Sequence, residues 1–140
     1  MRLRNRTTLC LLFAAFSIAL LAGMVAARIE QHRDPDAQKL KNPITSDAAS
    51  IEEGKKLYGR HCASCHGPTG KGDGGMALSG GTPANLTDET WEHGSSDGDI
   101  FVVIRDGTST DMESYKEKLT EKQIWHLVNF IRSIGPKPAK

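Results

Sequence analysis

The chain sets two of its three cysteines three positions apart and follows them at once with a histidine, Cys62-Ala63-Ser64-Cys65-His66. Three chemistries use such a pair, and each demands a different fold around it: a zinc site, a redox dithiol or a thioether-linked haem. A structural zinc takes four ligands, usually from two spaced pairs. Here there is one pair, and His61, His66 and His93 stand at no standard spacing to it. A thioredoxin-like dithiol sits in a βαβ setting, and no segment reads as a convincing strand. The haem motif needs histidine as its fifth letter, and His66 supplies it. Cys62 and Cys65 can then add to the two vinyl groups of one haem. His66 lies beneath the ring, with Nε2 free to reach the iron.

A covalent macrocycle also answers a shortage. Of the 140 residues, 38% are apolar and only 6% aromatic, which gives a modest core. A flat cofactor at the centre supplies the surface on which helices can pack. The formal net charge of +1 gives no footprint for nucleic acid. Its distribution is uneven: Arg2, Arg4 and Arg6 stand without an acid in residues 1–27, which leaves the rest slightly acidic.

Residues 1–27 read as a signal peptide or membrane anchor. After the basic start, residues 9–27 carry no charge in 19 positions. As a helix they would span about 28 Å, close to a hydrocarbon core of about 30 Å. That length favours an anchor, whereas Val25-Ala26-Ala27 offers the small residues of a cleavage site. Both readings export the rest of the chain to the periplasm, either soluble after cleavage or held at the inner membrane by residues 9–27. Cys10 falls inside this stretch and reads as a small apolar residue of it.

Residues 28–49 are polar and hold Pro35 and Pro43, and they read as a linker with little fixed structure. The domain is expected over 50–136, with 137–140 as a tail. The fold class is all-α, with three principal helices. The first starts at Ser50, read as an N-cap with Glu53 three residues on, and runs through Gly54, Leu57 and Tyr58 into Cys62. The stretch 67–87 is a Gly- and Pro-rich loop. Gly70, Gly72 and Gly75 match G-x-G-x-x-G there, but no strand precedes them, so the dinucleotide reading fails its context. The second helix is capped by Ser96, carries Ile100, Val103 and Ile104, and ends at Gly107. The third has Thr120 as N-cap with Gln123 at the capping-box position. It buries Ile124, Leu127, Val128 and Ile131, pairs Leu119 with Ile124 as a staple, and stops at Gly135-Pro136.

The sixth ligand of the iron has several candidates. Met76 lies in the glycine loop, ten residues past His66, and Met112 lies between the second and third helices, flanked by Asp111 and Glu113. An exposed methionine between two acids has little reason to be core. His93 and His126 are the nitrogen alternatives.

In this order of features the chain from about 50 to 136 resembles a class I c-type cytochrome of the small, single-haem bacterial kind. The segments that carry the likeness are "EEGKKLYGRHCASCHG", "GKGDG", "TPANLTD", "SDGDIFVVIRDG", a methionine and "LTEKQIWHLVNFIRSI". The resemblance implies one covalent haem c, with the first and last helices crossing at Gly54, Tyr58 and Phe130. It implies His66 as proximal and Met112 as distal ligand. It also implies a proline carbonyl as acceptor for the other histidine nitrogen, with Pro83 the first choice and Pro68 the rival. The family often has proline after the methionine. Here Glu113 follows Met112, which leaves the ligand loop looser.

The function so implied is single-electron transfer without bond chemistry, so the chain is not expected to be an enzyme. Its partners are redox proteins that dock transiently. One alternative is a dedicated haem subunit of a membrane oxidase or dehydrogenase. Another is a haem sensor or peroxidase, if Met112 leaves the sixth position open.

Overall fold

A computed structural model of the chain describes residues 35–76, 82–109 and 111–136. The expected signal or anchor (1–27), the first part of the expected linker and the tail (137–140) lie outside the described residues. The described part is helical, and no strand occurs in it. Helix α1 spans Ala48–His61, a single turn α2 spans Ala63–His66, α3 spans Asp97–Asp106 and α4 spans Glu121–Ile134. A 3-10 turn, Ala37–Lys39, precedes them. No described helix is long and apolar enough to cross a membrane.

Helix α4 forms for the reasons its sequence gives. The Thr120 hydroxyl accepts from the Gln123 N–H, and the Gln123 side chain accepts in return from the Thr120 N–H. Leu119 and Ile124, one on either side of this cap, are both buried. Ile124, Leu127, Val128 and Ile131 then fall on one stripe and are shielded from water. Gly135 ends the helix in extended backbone. Helix α3 has the same device in Ser96 and Asp99, and Gly107, at φ 75°, turns the chain out. Its buried stripe is Ile100, Phe101 and Ile104, while Val103 is half-buried. Phe101 takes the inner place because its ring stacks on Trp125 at 4.1 Å. Arg132 of α4 donates to Asp97 at 2.7 Å and to the Ser95 carbonyl, which ties the end of α4 to the start of α3.

Helix α1 is capped three residues earlier than its sequence suggests. Asp47 is the N-cap, accepting from the Ser50 N–H at 2.8 Å. Ser50 therefore lies inside the helix and is buried. Its hydroxyl receives a bond from Asn129 Nδ2 at 2.7 Å and meets His126 Nδ1 at 2.8 Å. Burial so close to α4 gives the hydroxyl better partners than a helix end would.

The expected linker is corrected in the same region. Within 35–47 the chain is anchored to the helices at Ala37, Asn42 and Ile44. Ala37 is buried, and its carbonyl sits against Gly98 of α3, where a side chain would collide. Asn42 donates to Asn129 Oδ1 at 2.8 Å, and Asn129 donates to the Ile44 carbonyl at 3.2 Å. The segment looked like a linker because it is held through main-chain and amide groups, which leave no apolar period.

Helices α1 and α4 cross at Gly54. A Cβ there would run into the His126 carbonyl and lie 2.7 Å from Phe130 Cβ. One turn on, the rings of Tyr58 and Phe130 meet at 5.0 Å. Leu57 and Tyr58 of α1 and Ile124, Leu127 and Val128 of α4 are the largest fully buried side chains. Such residues contribute about 1.5–3 kcal/mol each.

Two tests follow from this packing. Gly54→Ala must push backbone from backbone and should lower stability by roughly 1–3 kcal/mol or more, read by thermal melting. Gly59→Ala, in the same helix with open space around it, should raise stability by up to about 1 kcal/mol. In the second test, a chain beginning at residue 35 should melt like the full domain. One beginning at residue 48 loses the Asp47 cap and leaves Asn129 short of partners, and should be weaker by roughly 2–5 kcal/mol.

Candidate haem-attachment site

The site is built where α1 ends. Cys62 leaves helical geometry, at φ −121° and ψ −36°, while its N–H still bonds the Tyr58 carbonyl at 2.9 Å. The chain then makes one more turn: the N–H groups of Cys65 and His66 both reach the Cys62 carbonyl, at 3.1 and 2.9 Å. Positions three apart on a helical turn share a face, so Cys62 and Cys65 lie side by side, and no disulfide joins them. Burial, and secondarily the neighbouring Cys65, pushes the Cys62 thiol up to about 12.

His66 is oriented by the segment after the glycine loop. Its Nδ1 lies 3.0 Å from the Ala84 carbonyl. A carbonyl can only accept, so Nδ1 is the donor of this bond, which leaves Nε2 as the nitrogen to offer a lone pair in the neutral ring. The acceptor expected at Pro83 is therefore one residue further on. The Pro83 carbonyl faces Gly72 instead, at φ 78°, where any side chain would strike it. Pro68, the rival choice, is exposed. The loop is pinned around the motif by Gly72 N–H on the His66 carbonyl at 2.8 Å and Gly74 N–H on the Cys65 carbonyl at 3.1 Å. On the other side, the Tyr58 hydroxyl donates to the Gly67 carbonyl at 2.7 Å, and burial pushes that phenol up to about 12.

Met112 is half-buried in a tight turn between α3 and α4. Its carbonyl accepts from the Thr108 N–H at 3.0 Å, and its own N–H bonds Ser109 Oγ at 3.3 Å. Past it, Ser114 Oγ donates to the Arg105 carbonyl at 2.7 Å, and the Tyr115 hydroxyl donates to the His61 carbonyl at 2.9 Å. The turn that carries Met112 is thus joined to the residue just before Cys62. Burial raises the Tyr115 phenol, and Cys62 adds to the effect. The looser loop expected from Glu113 is held by these bonds. Met76, the other sulfur candidate, is 61% exposed. His126 has its Nδ1 engaged with Ser50 at the helix crossing. His93 is half-buried in the turn before α3.

The residues fit a haem. Two thiols on one turn could take the attachment, and a histidine whose Nδ1 is held by a carbonyl could offer Nε2 to the iron. Among the described residues no cluster of three or more His, Cys, Asp or Glu could hold a metal ion by itself. Reasoning from sequence missed Ala84 and Tyr115. Ala84 acts through its main chain, which no residue type announces. Tyr115 had a faint signal in its place three residues after Met112.

Comparison with known proteins gives the family. A family model described as cytochrome c oxidase, cbb3-type, subunit III matches residues 49–131. The chain is 28% identical over 94 residues to the cbb3-type cytochrome c oxidase subunit CcoP of Azospirillum brasilense, covering 67% of this chain and 32% of that protein. It is 31% identical over 83 residues to the subunit FixP of Bradyrhizobium diazoefficiens, covering 59% of this chain and 27% of that one. The chain therefore spans about a third or less of the length of these relatives. Among solved structures it is similar to cytochrome cL of Methylophaga aminisulfidivorans, with a TM-score of 0.56 and 26% identity over 69% of this chain and 59% of that one. By fold, motif and sequence, the chain belongs to the cbb3-type cytochrome c oxidase subunit III family, and its helical domain is a class I c-type cytochrome for one covalent haem c.

Proposed function

We propose that this chain is an electron-transfer haem subunit of a membrane oxidase, facing the extracytoplasmic side and performing no bond chemistry of its own. The observation that carries the reading is that the segments bearing both candidate ligands are tied to one motif. His66 is fixed by Ala84, and the Met112 turn is fixed to the residue before Cys62. In this reading Cys62 and Cys65 hold the cofactor, His66 Nε2 is the proximal ligand and the Met112 thioether the distal one. The haem supplies a one-electron couple when bound, and Met/His ligation raises its potential. The Ala84 carbonyl keeps the His66 ring in one orientation and raises its basicity. Met112 closes the remaining position, which disfavours the sensor and peroxidase alternatives.

The relatives named above are oxidase subunits, and this supports a dedicated subunit over a free carrier. The partners are then other redox subunits of a complex.

Met112→Ala should abolish the near-infrared sulfur-to-iron charge-transfer band of the ferric protein, lower the midpoint potential and let the ferrous protein bind carbon monoxide. Met76→Ala should change none of the three. Rapid carbon monoxide binding by the wild type would favour the open-site alternatives. For the partner, a tagged chain solubilised from its own membranes in mild detergent should elute together with oxidase subunits. Elution by itself, from the soluble fraction, would return the free carrier to first place.

A further inference from the structure

The bond from the Tyr115 hydroxyl to the His61 carbonyl joins positions 54 apart in sequence, at a point where a helix has run out of its own partners. In a continuous helix the His61 carbonyl would accept from the Cys65 N–H. That N–H turns instead to the Cys62 carbonyl at 3.1 Å, because the helix breaks at Cys62. Carbonyls at helix ends need outside partners, and Tyr115 provides one. The ring of His61 stands edge-on to that of Tyr115, with centroids 6.0 Å apart.

The other end of Tyr115 is equally committed. Its N–H bonds the Ile104 and Arg105 carbonyls at 3.2 Å each, and the next N–H, of Lys116, bonds the Arg105 carbonyl at 3.1 Å. The backbone of Tyr115 is therefore fixed to the end of α3 while its hydroxyl is fixed to the end of α1. Met112 lies three residues upstream, in a turn already closed by Thr108 and Ser109. Lys118 adds a contact over the Tyr115 ring at 5.2 Å and pairs with Glu113.

We infer that Tyr115 is a positioning residue for the distal ligand, its hydroxyl on the His61 carbonyl holding the Met112 turn against the attachment motif where no proline follows the methionine. The inference rests on the reading of Met112 as distal ligand. It assigns the hydroxyl a task separate from packing, since the ring alone would fill the same space. Losing one such bond should let the methionine leave the iron about fivefold more readily.

The test uses the full-length, exported holoprotein. The charge-transfer band of the ferric form is followed as pH is raised, and carbon monoxide is added to the ferrous form. Tyr115→Phe keeps the ring and removes the bond. The pH at which the band fades should fall by about 0.7 unit, and carbon monoxide should bind about fivefold faster. Asp47→Ala, which removes the α1 cap away from this turn, serves as a stability control and should leave both readings where they were. The inference is overturned if Tyr115→Phe moves neither reading, or if Asp47→Ala moves them equally, which would make the effect one of general stability. Met112→Ala separates the two levels. If it leaves the band in place, the ligand reading itself fails; if it removes the band while Tyr115→Phe does nothing, only the role of Tyr115 fails.

Discussion

The backbone of α1 touches the backbone of α4 at Gly54, and the position of everything else follows from that approach. Only a residue without a side chain lets the His126 carbonyl come so near. Once the helices cross there, Tyr58 lands on Phe130 one turn later, and α1 has a fixed direction as it runs out into Cys62. The attachment motif is thus aimed by a contact eight residues upstream of its first cysteine. Around the crossing, Leu57, Ile124, Leu127 and Val128 are removed from water. At about 1.5–3 kcal/mol each, they hold the two 14-residue helices together.

Apolar contacts alone would leave the register of the two helices weakly set. The polar groups at the same crossing set it. Asn129 donates to Ser50, Ser50 meets His126, and Asn42 closes on Asn129 from the segment before the helix. A slip by one residue would strand these buried groups, at about 1–3 kcal/mol for each one left unpaired. The cluster also draws the chain before α1 onto the domain, where Ala37 is buried.

Much of this was legible in the residues and some was not. Thr120 with Gln123 announced α4, and Ser96 announced α3, because a capping box is local and its partners lie within one turn. Cys62, Cys65 and His66 announced the cofactor, because covalent attachment needs those groups at that spacing. The cap of α1 was misread at Ser50. Asp47 and Ser50 are both good caps by type, and only the burial of Ser50 against Asn129 decides between them. Residues 35–47 read as a linker because they are held by amides and carbonyls. The acceptor for His66 was assigned to Pro83 and proved to be Ala84, since a main-chain carbonyl is chosen by the path of the loop, which Gly72 controls. Met112 was singled out by its setting between two acids, and the fold keeps it half-buried in a turn tied to the motif while Met76 lies exposed.

The account depends above all on one haem being bonded to Cys62 and Cys65. The most direct measurement is the mass of the exported chain after unfolding in acidified organic solvent. The account predicts a chain heavier by one haem, with the added mass on the peptide that contains Cys62 to His66. A chain at its bare mass, with the haem left in the solvent, would contradict it.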